Sequence, residues 1–277
     1  MMEMSDYSYV VLDSRQNNSM QPWLGTQKVQ KSTRIFQMSP SPEHSSFHHN
    51  IRVANMEKVL QDLKDGVNKT FDCSHLLSLQ MLAGESRRAD LCGPSLQRVH
   101  RNIGARLAEY LINEFGSTMN LVTEKSFSHV QGSPYKALVA AGRNMAILPL
   151  MRGGEPMARG VHETFPEAQM IHYTDKVTNL AKSIPPSVWS IIVVDSVINR
   201  GDSMRKVLYE VQSMMATSLS STQIFVLSAV TQSTAATVLP KEFPRVRFVT
   251  LRISQNQYTG HGGTDTGNRL FGTISSL

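Results

Sequence analysis

The chain has 277 residues, 40% of them hydrophobic, and a formal net charge of +6. No apolar run approaches the length of a membrane span, and the two cysteines, Cys73 and Cys92, provide neither a disulfide framework nor a metal site. With Glu3 and Asp6 near its start and no apolar stretch behind them, the N-terminus does not read as a secretory signal, so a reducing cytoplasm is the expected location. Residues 1–50 are charge-balanced, which places the whole basic excess in 51–277. That excess fits an ordinary basic surface as well as a phosphorylated substrate. No Lys/Arg run with interleaved aromatics supports nucleic-acid binding, and no membrane contact is expected.

Residues 1–50, rich in Ser, Gln, Asn, His and Pro, read as a disordered or loosely docked tail, and His44, His48 and His49 lack metal-ligand spacing. From 54 to 70, Met56, Val59, Leu60, Leu63 and Val67 fall on one face of an amphipathic helix. Residues 74–83 carry Leu76, Leu77, Leu79 and Leu82. A long helix is expected over Gly93–Phe115. Pro94 suits its first turn, and Leu96, Val99, Ile103, Leu107, Leu111 and Ile112 form its buried stripe. The stretch 119–140 is ambiguous, with short strands possible at 119–123 and 137–140.

A buried strand beginning near Asn144 ends in Pro149. A loop with Arg152, Gly153 and Gly154 follows, then a helix from about Pro156. Two glycines let a backbone approach an anion closely, and an arginine can clamp it. Residues 168–173 give a short strand. The run Ile191–Val194 reads as a buried parallel strand that stops at Asp195. A polar loop, Ser196 to Asp202, leads to a helix capped by Ser203, with Met204, Val207, Leu208 and Val211 inward. Strand, loop and helix tip together aim backbone N–H groups at a place where phosphate binds. Further strands at 222–230 and 246–253 flank a short helix at 233–239. The alternation from 144 to 253 predicts an α/β fold, a mostly parallel sheet covered by helices on both faces. The five glycines between Tyr258 and Thr273 predict a loop rather than a helix or strand. His172 and Asp175 stand three apart on a strand and so point to opposite faces, a poor acid–base pair.

Three of these segments, in order, resemble the uracil phosphoribosyltransferase family. Ile147-Leu-Pro-Leu-Met-Arg-Gly-Gly154 is similar to its pyrophosphate loop, Pro-Ile-Leu-Arg-Ala-Gly. Val193-Val-Asp-Ser-Val-Ile-Asn-Arg-Gly-Asp-Ser203 resembles its phosphoribosyl-pyrophosphate loop, Asp-Pro-Met-Leu-Ala-Thr-Gly-Gly-Ser. Tyr258 to Thr273 matches, without a gap, its base-binding hood, Tyr-Ile-Val-Pro-Gly-Leu-Gly-Asp-Ala-Gly-Asp-Arg-Leu-Phe-Gly-Thr. The resemblance spans roughly 75–277 and implies a phosphoribosyltransferase-like, Rossmann-like fold with a C-terminal hood. The expected architecture is therefore a tail over 1–50 and one domain over 51–277.

The implied reaction converts uracil and phosphoribosyl pyrophosphate to UMP and pyrophosphate, as in pyrimidine salvage. It needs no protein nucleophile; positioning and electrostatics carry it, and Mg²⁺ arrives on the pyrophosphate substrate. By resemblance Arg152, with Gly153 and Gly154, holds pyrophosphate, and Asp195 contacts the ribose hydroxyls. Asn199, Arg200, Gly201, Asp202 and Ser203 wrap the 5-phosphate. Tyr258, Thr259, His261 and Thr264 line the base, and Asp265 sits near the Mg²⁺–pyrophosphate end. Relatives assemble as homodimers or tetramers.

The sequence also departs from the pattern. Arg200 stands where the family has Thr, and Asp202 where it has the second Gly; a carboxylate there repels phosphate, or pairs with Arg200. Thr174 follows Tyr173 where the family has Arg, and the hairpin between Asp175 and Val188 is short. In the hood His261 replaces Pro, Thr264 replaces Gly and Asn268 replaces Asp. His261 is placed either to face the base or to sit in solvent, and Arg269 reads as a tie between hood and core. These changes leave open a repurposed enzyme acting on another phosphorylated, nucleotide-like or RNA-linked substrate, and a non-catalytic nucleotide-binding relative.

Overall fold

The computed structural model describes residues 70–174, 179–215, 222–257 and 260–273. The tail over 1–50 and the helix expected at 54–70 lie outside the described residues.

Six parallel strands form the frame: β1 (Thr70–Asp72), β4 (Met145–Pro149), β5 (Gln169–Met170), β6 (Ser190–Ile198), β7 (Gln223–Gln232) and β8 (Val246–Ser254). They lie in the order β1-β8-β7-β6-β4-β5. Strands buried on both faces read as continuous apolar runs. In β6, Ile191 and Val193 pack into one core, while Ile192 and Val194 pack into the other.

The first core is closed by α4 (Leu180–Ser183), α5 (Asp202–Met215) and α6 (Ser233–Glu242). The second is closed by α1 (Leu77–Ser86), α2 (Gly93–Phe115) and α3 (Glu155–Thr164). The expected long helix has the bounds of α2, and Leu96, Val99, Ile103, Leu107 and Leu111 of its stripe are buried. No helix of the described residues is long and apolar enough to cross a membrane.

Helices α2 and α3 meet backbone to backbone. A Cβ added at Gly160 would lie 1.8 Å from the Arg101 carbonyl oxygen, and one at Gly104 would lie 1.9 Å from that of Met157. Backbone atoms cannot rotate away, so Gly160→Ala forces the helices apart. The expected cost is at least about 1–3 kcal/mol, read as a lower urea midpoint with an unchanged slope.

Three expectations need correction. First, β6 continues past Asp195 to Ile198, because Val197 and Ile198 pair with Val230 and Thr231 of the long strand β7. The polar loop therefore shrinks to Asn199–Gly201 before α5.

Second, the ambiguous stretch is a full hairpin, β2 (Val122–Ser128) against β3 (Pro134–Ala140), separate from the main sheet. Cross-strand pairs sustain it: Phe127 stacks on Tyr135 at 5.7 Å, and the Lys136 ammonium lies 2.9 Å from Glu124.

Third, the glycine-rich C-terminus is largely helical, with a 3₁₀ turn at Gly262–Thr264 and α7 at Thr266–Phe271. The Asp265 carboxylate caps α7 by accepting from the Asn268 N–H at 2.8 Å, and Gly272 ends it at φ +60°. Three bonds seat this hood on the domain. Arg269 Nη2 donates to the carbonyls of Arg88 (2.6 Å) and Leu91 (2.9 Å), and Gln97 Nε2 donates to that of Leu270 (2.7 Å). Arg269 thus ties hood to core, as its place in the sequence suggested.

Candidate functional site

The strand order places a switch point between β4 and β6. From β4 the chain crosses outward to β5, and from β6 it crosses the other way to β7. The two loops part at the carboxyl edge, where open parallel sheets hold ligands. A cavity of about 320 Å³ lies there, lined by Arg152 and Gly153 from the β4 loop, by Asp195 of β6 and by Asn199 just after it. The hood closes it with Gly260, Asp265, Thr266 and Gly267, and Ser196 and Val197 complete the wall.

The β4 loop is pressed against β6. A Cβ at Gly154 would lie 2.1 Å from the Val194 carbonyl oxygen, so only glycine lets the loop turn this close to the strand. Gly154 itself does not line the cavity. At Gly153 a Cβ would come 3.6 Å from Asp195 Oδ1, so the bare backbone there borders the carboxylate. The Arg152 guanidinium reaches the hood: Nη1 donates to Thr273 Oγ1 and Nη2 to Asn268 Oδ1, each at 3.1 Å. It also lies over the Phe271 ring, 5.7 Å from its centroid.

Asp195 is held in a site that disfavours its charge. Burial pushes its carboxyl up to about 7, against the pull of the Val197 and Ser196 backbone N–H groups. Beside it, Ser196 Oγ donates to the Gly153 carbonyl and lies 3.0 Å from Nδ1 of buried His100. With the serine proton committed to that carbonyl, the His100 Nδ1 is the N–H donor of the pair. Burial, and secondarily the charge of Arg269, lower His100 to about 4, so the ring is neutral. A polar chain from α2 through β6 to the β4 loop therefore sets the height of Gly153. The sequence reading missed it, because His100 sits within an apolar helical stripe and Ser196 is 96 residues away.

Of the residues singled out from the sequence, Arg152, Gly153, Asp195, Asn199 and Asp265 come together around one cavity. Arg200, Gly201, Asp202, Ser203, His261 and Thr264 do not line it. Arg200 Nε lies 3.3 Å from Asp202 Oδ2, and Arg205 Nη1 lies 3.6 Å from Asp202 Oδ1. Arg200 borders a different hollow, with Arg205, Gln232 and Gln257, so this ion-paired group stands beside the cavity rather than in it. His261 and Thr264 are exposed, and Thr264 Oγ1 bonds back to the His261 backbone. Tyr258, Thr259 and Asp175 lie outside the described residues.

Two carboxylates, Asp195 and Asp265, line the cavity, and among the described residues no cluster of three or more metal-ligating side chains exists. That donor set fits Mg²⁺ only when phosphate oxygens and water complete the shell, as they do when the ion travels with its substrate.

A family model described as uracil phosphoribosyltransferase matches residues 75–273. Among curated proteins, the uracil phosphoribosyltransferase of Lacticaseibacillus paracasei is 26% identical over 184 residues, 62% of this chain and 86% of the relative. That of Enterococcus faecalis is 28% identical over 195 residues, 66% of this chain and 88% of the relative. Among solved structures, a protein from Aquifex aeolicus superposes with a TM-score of 0.59 at 14% identity, covering 75% of this chain and all of that one. This last likeness concerns the fold alone.

Proposed function

The chain belongs to the uracil phosphoribosyltransferase family, and from that premise we propose that it transfers ribose 5-phosphate from phosphoribosyl pyrophosphate to a pyrimidine base, uracil first, releasing pyrophosphate. One observation carries the reading. At the sheet's switch point Arg152, Asp195 and the hood's Asp265 converge on one cavity, a cationic clamp and two carboxylates around a space of about 320 Å³. The transition state has a cationic ribose between a departing anion and a flat base, so fixed charges of these signs lower its energy.

In this reading Arg152 holds the pyrophosphate, and its bonds to Thr273 and Asn268 keep the hood over the reacting centre. Asp195, once ionised, holds the ribose hydroxyls and faces the developing positive charge. The tip of α5 offers backbone N–H groups to the 5-phosphate. Gly201, at φ +86°, bends the chain into that helix. Bound Mg²⁺ would supply charge neutralisation at the leaving group. The hood, docked through Arg269 and Gln97, excludes water so that the base rather than hydroxide accepts the sugar.

The test is a transfer assay with the full chain, phosphoribosyl pyrophosphate, Mg²⁺ and uracil. UMP and pyrophosphate formed in equal amounts are expected, and no binding of phosphoribosyl pyrophosphate would overturn the reading. The ion-paired phosphate loop adds a second measurement. Asp202 sets a carboxylate in the first turn of α5, where the 5-phosphate would dock. At about 4 Å such repulsion is roughly 1 kcal/mol in water and about 4 kcal/mol near a protein surface, and Arg200 and Arg205 offset part of it. Restoring the family residues, Arg200→Thr with Asp202→Gly, is expected to lower KM for phosphoribosyl pyrophosphate about three- to tenfold, the low end of that range, with kcat little changed. An unchanged KM would mean the ion pairs already cancel the carboxylate.

A further inference from the structure

Behind the reaction cavity lies a second one of about 390 Å³, under the start of the hood. Arg87 of α1, Arg252 of β8, Arg269 of α7 and His100 of α2 line it, and no carboxylate among the described residues does. Ser196, Val197 and Thr266 stand in the walls of both cavities, so the two spaces are neighbours.

Three guanidinium groups around one hollow repel one another. Several arginines elsewhere on the described surface find a carboxylate: Arg88 with Asp90, Arg101 with Glu163, Arg106 with Glu109 and Arg159 with Glu155. The three cavity arginines form no ion pair among the described residues. Arg87 Nε donates to the Ala83 carbonyl at 3.0 Å, and Arg269 Nη2 donates to two carbonyls. Each anchor uses one nitrogen of a fork that carries five N–H donors, so these side chains are pinned in place with donors to spare.

Arg252 is the most exposed to this imbalance in energetic terms. Its Nε is buried with no acceptor among the described residues, and burial together with the charge of Arg87 lowers its affinity for its own proton. A buried charged donor without a partner is costly. An anion in the hollow offsets the mutual repulsion of the three guanidinium charges that line it.

We propose that this arginine-lined cavity is an anion subsite adjoining the reaction cavity, taking a carboxylate or phosphate group. Because the wall is shared, the group is either an acidic substituent of the acceptor base or part of a separate small molecule. In the first case this rests on, and narrows, the function proposed above: the preferred acceptor is then an acidic pyrimidine rather than uracil itself.

Titration calorimetry of the full chain with sodium phosphate at constant ionic strength tests the site without any transfer reaction. Besides any binding at the reaction cavity, a saturable component is expected that is weakened at least tenfold in Arg252→Gln and in Arg87→Gln and kept in Arg106→Gln, whose side chain pairs with Glu109 and lines neither cavity. Arg252→Lys keeps the charge and is expected to stay within a few-fold of the parent, which covers the case in which Arg252→Gln fails to fold. Absence of saturable binding, or equal affinity in the parent, Arg252→Gln and Arg87→Gln, overturns the proposal.

The transfer assay then separates the two sources, with uracil and 6-carboxyuracil as acceptors. If Arg252→Gln lowers kcat/KM at least tenfold for the carboxylated base alone, the anion belongs to the acceptor. If phosphate binding depends on Arg252 and neither rate does, it belongs to a separate molecule. A chain that transfers to no base but still binds phosphate through Arg252 sinks the proposed function and leaves the subsite standing.

Discussion

Asp195→Asn is expected to lower kcat/KM about 10²–10³-fold while making the protein more stable at neutral pH. The first effect follows from its place within β6, beside Gly153 and at the cavity wall. An amide still bonds to hydroxyls but offers no negative charge to a cationic ribose. Loss of one such preorganised electrostatic group costs about this much.

The second effect follows from the burial that pushes the carboxyl up to about 7 from its ordinary value of 3.8. Where the folded protein binds the proton more tightly than the unfolded chain, stability falls as pH rises. Asp195 therefore contributes stability below pH 3.8 that is lost as pH rises to about 7, with no further change above it. At about 1.4 kcal/mol per unit the ceiling is roughly 4 kcal/mol.

His100 acts in the opposite sense. Lowered to about 4 from 6.5, it costs the folded protein stability as pH falls through that window. In the parent the two trends oppose each other between about pH 4 and 6.5; in Asp195→Asn only the histidine trend remains. Urea midpoints at pH 4.5, 6.5 and 8 check this. The stability gap between variant and parent should widen up to about pH 7 and then hold constant. The parent's kcat/KM should rise with pH, be half-maximal near 7 and level off about a unit above it, since the ionised form does the work. A flat gap, or a rate falling over that range, contradicts the burial argument.

What the sequence disclosed and what it hid divide along physical lines. Gly93–Phe115 was legible to the residue because a 23-residue amphipathic stripe repeats many times and Pro94 marks its start. The buried strands were legible for a similar reason: an apolar run needs no partner to be seen. Their ends were not. β6 passes Asp195 only because β7 extends alongside it, a fact about residues more than thirty positions away. The hood helix was hidden by its glycines, yet it left a local signal, a capping Asp265 and a Gly272 terminator around six residues too few for periodicity.

The cavity-lining residues on the two sheet-edge loops and at the hood cap were legible because each segment carries its own pattern. The basic cavity and the His100–Ser196–Gly153 chain were not, since each collects residues from distant parts of the chain. Arg200 and Asp202 sit where the motif predicts a phosphate cradle, but opposite charges two positions apart satisfied each other first.

Arg152→Gln is expected to fail in two separable ways, because one guanidinium serves two ends. Toward the substrate it is the arginine in the cavity lining, and losing its charge should cost about 10²–10³-fold in kcat/KM. Forward transfer and reverse pyrophosphorolysis should fall by the same factor, because they share a transition state. Toward the hood, the same group bonds to Thr273 and Asn268 and covers the face of Phe271. Amide-hydrogen exchange over 260–273 should therefore quicken in the variant, with the body of the sheet unaffected.

Asn268→Ala removes the hood bond and spares the positive charge. It should loosen the same segment and raise KM for the base, with a loss in kcat/KM nearer tenfold. Arg152→Lys keeps the charge and loses the planar fork that spans two acceptors. It should recover part of the rate and little of the hood protection. If Arg152→Gln left exchange in the hood untouched, the hood would be held by Arg269 and Gln97 alone, and closure would not depend on the residue proposed to hold pyrophosphate.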